Sequence, residues 1–332
     1  MSYKRLEADD FVVSADSITA GLWTDSSTPT ITTFYTSSTQ AASVSGDYYL
    51  NVFSDSGLEQ LEFAVTYGNS TGGGTQLYNV SVSGKSPSDS IYGQYRTLVL
   101  GDENAEFSYG GITTNDFWAI SVDRNRYKES LFPGSLTLII SSSGGEVSLT
   151  DNSQVSTTVT FNDAGRVFQL VSGSAGSVYT GVNSNGYSAN SGSYGLFLPD
   201  IATLILNPLA IKEDTSLAPT TTANTDGNNP WKLIKAIQLG ENFTLNSQET
   251  ITSDYVFVRP RSSEFNYSEN PSFISGSTGE VLYSSFINNP TTYITTVGLY
   301  NDTNELLAVA KLSKPLQKDF TKEALIRVKL DF

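Results

Sequence analysis

The chain has 332 residues, with 34 acidic against 19 basic side chains for a formal net charge of −15, and it contains no histidine and no cysteine. That composition excludes disulfides, thiolate nucleophiles, Cys-ligated zinc, iron–sulfur clusters, imidazole bases and His-ligated metals, leaving only carboxylates, Lys, Tyr or an oxygen-bound hard cation for any chemistry. It also disfavours nucleic acid, because like charge repels phosphate instead of releasing counterions.

Taken in chain order, the N-terminal Met1 to Asp10 is charged where a secretory signal would be apolar, so no signal peptide is expected. Period-two alternation then dominates. Leu61, Phe63, Val65 and Tyr67 alternate with smaller or polar residues, as do Tyr78, Val80 and Val82, and Val155, Thr157, Val159 and Phe161. Alternation places one set on a core face and the other in solvent, the pattern of half-buried antiparallel strands. Gly72 to Gly74, Ser141 to Gly145, Gly173 to Gly176 and Ser184 to Gly195 supply turn and loop chemistry between them. Asp200 to Leu206 reads either as a turn of helix or as a buried strand. The longest apolar run, Leu196 to Ile211, is interrupted by Pro199, Asp200, Asn207 and Pro208, so no membrane span is expected. Glu213 to Pro230 holds one large apolar residue and two prolines, and reads as a linker or long loop. Trp231 to Leu239 carries short helical spacing. Further on, Ile294 to Tyr300 and Leu306 to Lys311 flank Asn301-Asp302-Thr303-Asn304 and predict a β-hairpin. Pro315 is expected to break the chain, and the alternating strand 324–332 to add to the hairpin's sheet.

The expected fold is therefore mainly β: two or more antiparallel β-sandwich or barrel-like domains with little helix. The expected division is an N-terminal β domain over 1–140, a second β unit over 141–212 that is continuous with or separate from the first, a linker over 213–230, and a C-terminal β module over 231–332 with hairpin 294–311.

Motifs that carry chemistry elsewhere are incomplete here. Gly68-Asn69-Ser70-Thr71-Gly72 fits the G-x-S-x-G nucleophile elbow, but no histidine exists to serve as its base. Gly84-Lys85-Ser86 lacks the upstream glycine of a phosphate-binding loop, position 79 being Asn, and reads as a turn. Asn224 to Asn228 is oxygen-rich but lacks the closing bidentate Glu of a calcium loop. Asp102, Glu103 and Glu106 form an acidic cluster, a solvated turn by default and not a glycosidase carboxylate pair. The sequons at Asn69, Asn79, Asn242, Asn266 and Asn301 follow from a composition rich in Asn, Ser and Thr. No catalytic, cofactor or metal residues are nominated, and the chain is expected not to be an enzyme.

The C-terminal third is distinctive. Phe265 to Phe273, then Ile294 to Lys311 reading I-T-x-x-G-L-Y-N-D-x-N-E-L-L-A-V-A-K, then Glu323 to Phe332, closely resemble the C-terminal module of virion structural proteins in contractile-tailed bacteriophages of the large marine and cyanobacterial type. Tyr92 to Arg96, Leu100 to Asn104, and Tyr127 to Leu136 resemble the same kind of protein more patchily. The resemblance implies a non-enzymatic virion subunit, made in the host cytoplasm and placed in the tail baseplate or its wedge. Its partners would be other virion proteins and copies of itself, a two-fold dimer being the commonest arrangement. No cofactor, nucleic acid or membrane is implied.

On this reading the candidate interface residues are Arg124, Arg126, Tyr127 and Lys128 in the one dense basic stretch of the N-terminal half, and Arg327, Lys329 and Phe332 on the terminal strand. Trp23, Tyr48, Tyr49, Trp118 and Tyr127 are candidate aromatic anchors. An alternative is a receptor- or glycan-binding fibre, neck or capsid-surface protein in which Tyr187 to Tyr194 form a sugar platform. A third is a carboxylate-based depolymerase, for which no residue is nominated.

Overall fold

A computed structural model describes residues 3–23, 35–38, 48–53, 60–82, 84–268 and 270–331. The chain is mainly β, with antiparallel sheets and, among the described residues, a few helices. It divides into two compact units, one formed by residues 18–249 and the other by the two chain ends, up to Ser17 and from Thr250. The boundaries fall at 17/18 and 249/250, not at 140 and 213–230 as expected.

Strand β1 (Phe11–Gly21) opens the described chain. In the larger unit, β2 (Tyr35–Ser38), β3 (Tyr49–Phe53) and β4 (Leu61–Asn69) precede helix α1 (Pro87–Leu100). A small hairpin, β5 (Phe107–Tyr109) and β6 (Ile112–Thr114), leads into β7 (Asp116–Val122) and β8 (Ser130–Leu131). There follow β9 (Thr137–Ser142), β10 (Gly145–Asp151), β11 (Thr160–Asn162), β12 (Gly165–Ser174), β13 (Ser177–Val178), β14 (Gly195–Leu198) and β15 (Thr203–Leu206). Helices α2 (Pro208–Thr215) and α3 (Asn229–Gly240), β16 (Phe243–Thr244) and β17 (Asn246–Val258) come next. The main sheet runs β16-β9-β10-β12-β14-β15-β7-β4-β3-β2, with β11 and β13 added alongside β12.

The central strands of this sheet are buried on both faces. Along β7, Trp118, Ile120 and Val122 enter one cluster, while Phe117 and Ala119 enter the other. Leu204 and Leu206 of β15 likewise oppose Ile205. Ile91, Tyr92, Tyr95 and Val99 of α1 complete the Phe117 side, and Ala210, Ile211, Leu233, Ile234 and Ile237 of α2 and α3 complete the Trp118 side. The sheet thus lies between helices, which removes its middle strands from water.

Helix α1 falls in a stretch for which no element was expected, just after the turn expected at Gly84-Lys85-Ser86. Ser86 is its N-cap, Pro87 opens its first turn, and Gly101 closes it with φ +65°, a conformation that a side chain would strain. Two expected strands are absent. At 78–82 the chain turns, Ser81 N donating to Asn79 Oδ1 and Val82 N to Asn79 O. At 155–159 the Asn152 carbonyl accepts from both Val155 N and Ser156 N, and only Thr160–Asn162 is extended. Pro199–Ile201 is a 3-10 turn and Thr203–Leu206 a strand, so both readings of that stretch hold in succession. The 213–230 stretch is docked. Asn229 Oδ1 accepts from Thr220 N at 2.8 Å, Thr222 O accepts from Gly74 N, and Leu217 packs on the core.

In the smaller unit, β17 lies between β1 and β20 (Ile326–Asp331). Helix α4 (Ser284–Asn288) precedes the hairpin of β18 (Thr292–Tyr300) and β19 (Leu306–Lys318). Ile294, Val297, Leu299, Ala310, Leu312 and Leu316 of the hairpin pack against Val256, Ile326 and Val328. Ile294 and Val297 share a face despite their odd spacing, because a register shift separates Ile294 from Thr296. Across that shift the partner residue jumps from Lys311 to Leu316. Pro315 falls in the gap, where its missing N–H breaks no ladder bond, so β19 continues past it. The terminal strand pairs with β17 (Val256 opposite Val328) and not with the hairpin as expected. Lys318 is fully buried, its Nζ donating to Ser262 O, Asn266 Oδ1 and Asp319 O at 2.9–3.0 Å.

Candidate interaction surfaces

The basic stretch is a single turn with divided duties. Asp123 Oδ1 accepts from Asn125 N and starts a 3-10 turn over Arg124–Arg126. Arg124 folds back, donating to Tyr127 O at 2.7 Å with its guanidinium 4.6 Å from that residue's ring centre. Arg126 points inward to Glu62, its Nε 3.8 Å from a carboxylate on a side chain only 3% exposed. Tyr127 is half-buried against the core, and Lys128 is exposed. Arg124 and Lys128 are thus the surface cations of this segment, while Arg126 balances a buried acid.

On the terminal strand, Arg327 and Lys329 alternate outward; Lys329 stands opposite Tyr255 of β17 and Arg327 opposite Phe257, and both charges reach the Tyr255 ring. Their charges lie 5.5 and 6.0 Å from its ring centre. Lys329 Nζ also meets Asp331 Oδ1 at 2.9 Å. That hydrogen bond holds the Lys329 ammonium above its ordinary range and the Asp331 carboxyl below its own. Phe332 lies outside the described residues.

Of the aromatic anchors, Trp23 and Trp118 are core. Trp23 Nε1 donates to Phe243 O at 2.5 Å and Trp118 Nε1 to Asn229 O at 3.0 Å. Tyr48 and Tyr49 are half-buried; Tyr49 OH donates to Gln94 Oε1 at 2.9 Å, and the Tyr48 hydroxyl bonds that of Tyr78. Tyr194 is buried, its OH donating to Asp214, while Tyr187 lies against the backbone of Gly110. The two do not form a shared exposed platform.

Exposed apolar side chains gather elsewhere. In the smaller unit the outward side of the hairpin shows Tyr293, Tyr300, Leu306, Leu307 and Val309, of which Leu307 is 69% exposed. Strand β1, an edge of its sheet, shows Phe11, Val12 and Val13. The sequence predicts the hairpin but not which of its faces stays open, since that depends on the bulge.

The remaining motifs are structural. Gly68 and Asn69 end β4, and Asn69 Oδ1 gathers Thr71 N, Thr71 Oγ1 and Gly73 N, so no strand-to-helix elbow forms at Ser70. Gly84-Lys85-Ser86 leads into α1, with Ser86 Oγ donating to Gly72 O at 2.9 Å. Asp116 of β7 stands opposite Asn69, 9% exposed, and accepts from Tyr67 OH at 2.9 Å. Burial raises its carboxyl above the ordinary range, and burial together with the Asp116 charge raises the Tyr67 phenol. Among the described residues no group of three carboxylates is placed to hold a metal, and no helix is long and apolar enough to cross a membrane.

No family model, curated protein or solved structure matches this chain.

Proposed function

We propose that the chain is a structural, non-enzymatic subunit of a phage virion, working through protein–protein contacts in the tail and most specifically in the baseplate. The observation that carries the contact-making role is the outward side of the β18–β19 hairpin. Tyr293, Tyr300, Leu306, Leu307 and Val309 are held on a two-stranded element whose opposite side packs, partly buried, against Val256, Ile326 and Val328. Exposed apolar side chains gathered on one element mark interaction sites, and aromatic residues are favoured at their centres. The sequence of this same hairpin is the part that resembles virion tail components, so the resemblance and the open side coincide.

The acidic balance supports the reading, since net charge of −15 keeps subunits apart until specific surfaces meet. Two experiments test it. Mass spectrometry and cryo-electron microscopy of purified tailed particles should find the chain in the tail, with the hairpin against a neighbour. Sedimentation of the chain with tail proteins should show complexes that Leu307→Lys with Val309→Lys abolishes. Absence from particles, or a hairpin facing solvent within them, refutes the proposal.

A further inference from the structure

Between the β5–β6 hairpin and the loop joining β10 to β11 lies a groove of about 480 Å³ in the larger unit, a volume within the ~300–1,000 Å³ of small-ligand sites. Its floor is Val167 and Gln169 of β12, and one wall is the glycine pair Gly110-Gly111, which brings backbone to the surface without side-chain bulk. The residues lining it carry no charge.

The groove is built and yet unsatisfied. Asn152, 4% exposed, anchors the rim: its Oδ1 accepts from Gln169 N at 2.9 Å, its Nδ2 donates to Asn185 O, and its carbonyl holds Val155 N and Ser156 N. Ser156 Oγ then donates to Thr158 O at 2.7 Å. Gln169, which also lines the groove, is pinned by Ser193 Oγ donating to its Oε1. By contrast, the hydroxyls of Ser108, Thr157, Thr158 and Thr160 and the side-chain amide of Asn185 line the groove without hydrogen bonds to the described residues. A preorganised rim carrying spare donors and acceptors suits a ligand that offers many of both.

We propose that this groove is a binding site for a neutral oligosaccharide. A sugar presents hydroxyls that donate and accept alike, matching a lining of hydroxyls and amides. Its apolar C–H faces find Val155 and Val167. A charged ligand would be desolvated with no counter-charge in reach, and a peptide would need apolar recesses for its side chains. The site is separate from the hairpin surface and does not rest on the virion reading.

The test is a glycan array followed by calorimetry on the full chain, using maltotriose, cellotriose, chitotriose and mannotriose as neutral probes and 3′-sialyllactose beside lactose as the anionic pair. At least one neutral sugar is expected to bind. Asn185→Ala should weaken that binding by about tenfold, the worth of one to two neutral hydrogen bonds, and Thr158→Trp, which fills the groove, should abolish it. Both positions are exposed, and matched thermal melts check that the variants fold; Thr157→Ala on the same rim replaces either one that melts early. Binding of no neutral sugar, affinity undiminished in the folded variants, or tighter binding of sialyllactose than of lactose overturns the proposal.

Discussion

Trp118 tests the claim that the main sheet is buried on both faces. Its ring is fully buried at the middle of β7, between Leu206 of β15 and Tyr67 of β4, and its Nε1 donates to Asn229 O at 3.0 Å. Truncation to Ala removes ~150–250 Å² of apolar contact, about 4–6 kcal/mol at ~25 cal/mol per Å². Partial collapse of the cavity brings this toward the ~3–5 kcal/mol typical of large aromatic truncations. Leaving the Asn229 carbonyl without its donor adds ~1–3 kcal/mol. The expected loss is therefore about 4–8 kcal/mol, comparable with the whole ~5–15 kcal/mol of an ordinary domain. Trp118→Phe keeps most of the ring and should cost only ~1–3 kcal/mol, mainly the hydrogen bond. Trp231 of α3 is the internal control. It is 37% exposed and lies under Lys235, so Trp231→Ala should cost under about 1 kcal/mol. Urea unfolding followed by far-UV circular dichroism reads all three. A Trp118→Ala midpoint within about 1 kcal/mol of the Trp231→Ala midpoint would refute the two-faced burial.

Three further predictions rest on separate features. Because burial raises the folded Asp116 carboxyl above its unfolded value, the folded state holds its proton more tightly, and stability is lost as pH rises through the folded value. Asp116→Asn keeps an acceptor for Tyr67 OH, so it should stabilise the chain at pH 7.5 and the gain should vanish below about pH 4; urea midpoints showing no such pH dependence would contradict this. A Cβ at Gly73 would sit 2.1 Å from Thr221 O, whereas one at Gly93 on α1 meets nothing within 4 Å. Gly73→Ala should therefore cost ~1–3 kcal/mol or more, while Gly93→Ala should add ~0.5–1 kcal/mol, and equal melting shifts would count against the packing described. Lys318→Met retains the stem but strands three acceptors, Ser262 O, Asn266 Oδ1 and Asp319 O. The smaller unit should lose about 3 kcal/mol or more, and hydrogen exchange should rise over 259–268 and 312–322 without change in the main sheet.

How far the fold is legible in the residues depends on where each segment's partners lie. The β18–β19 hairpin is local: Asn301 Oδ1 collects Thr303 N and Glu305 N, and Asn304 takes φ +62°, so the turn is written in four consecutive residues. Helix α3 is legible for the same reason, from the spacing of Leu233, Ile234 and Ile237. Helix α1 carried its signals too, a Ser-Pro cap, Asp89 in the first turn and Gly101 past the end. They were masked by the Tyr78 to Val82 alternation just upstream, which resembles a strand but has no partner to pair with. Alternation is necessary for a half-buried strand and insufficient for any strand, because the ladder bonds come from elsewhere in the chain. The central strands fail the opposite way: with helices on both faces, Phe117 to Val122 (apolar but for Ser121) and Leu204 to Leu206 show no alternation. The surfaces are the least legible of all. Arg124 and Arg126 are two residues apart and chemically identical, yet one lies over Tyr127 at the surface and the other neutralises buried Glu62. Which cation remains for a partner is decided by a residue more than sixty positions away, and the same holds for the sugar groove, assembled from β5–β6, the loop after β10 and Asn185. Sites formed by one turn can be nominated from sequence; sites formed by several distant segments become visible only once the sheet that gathers them is built.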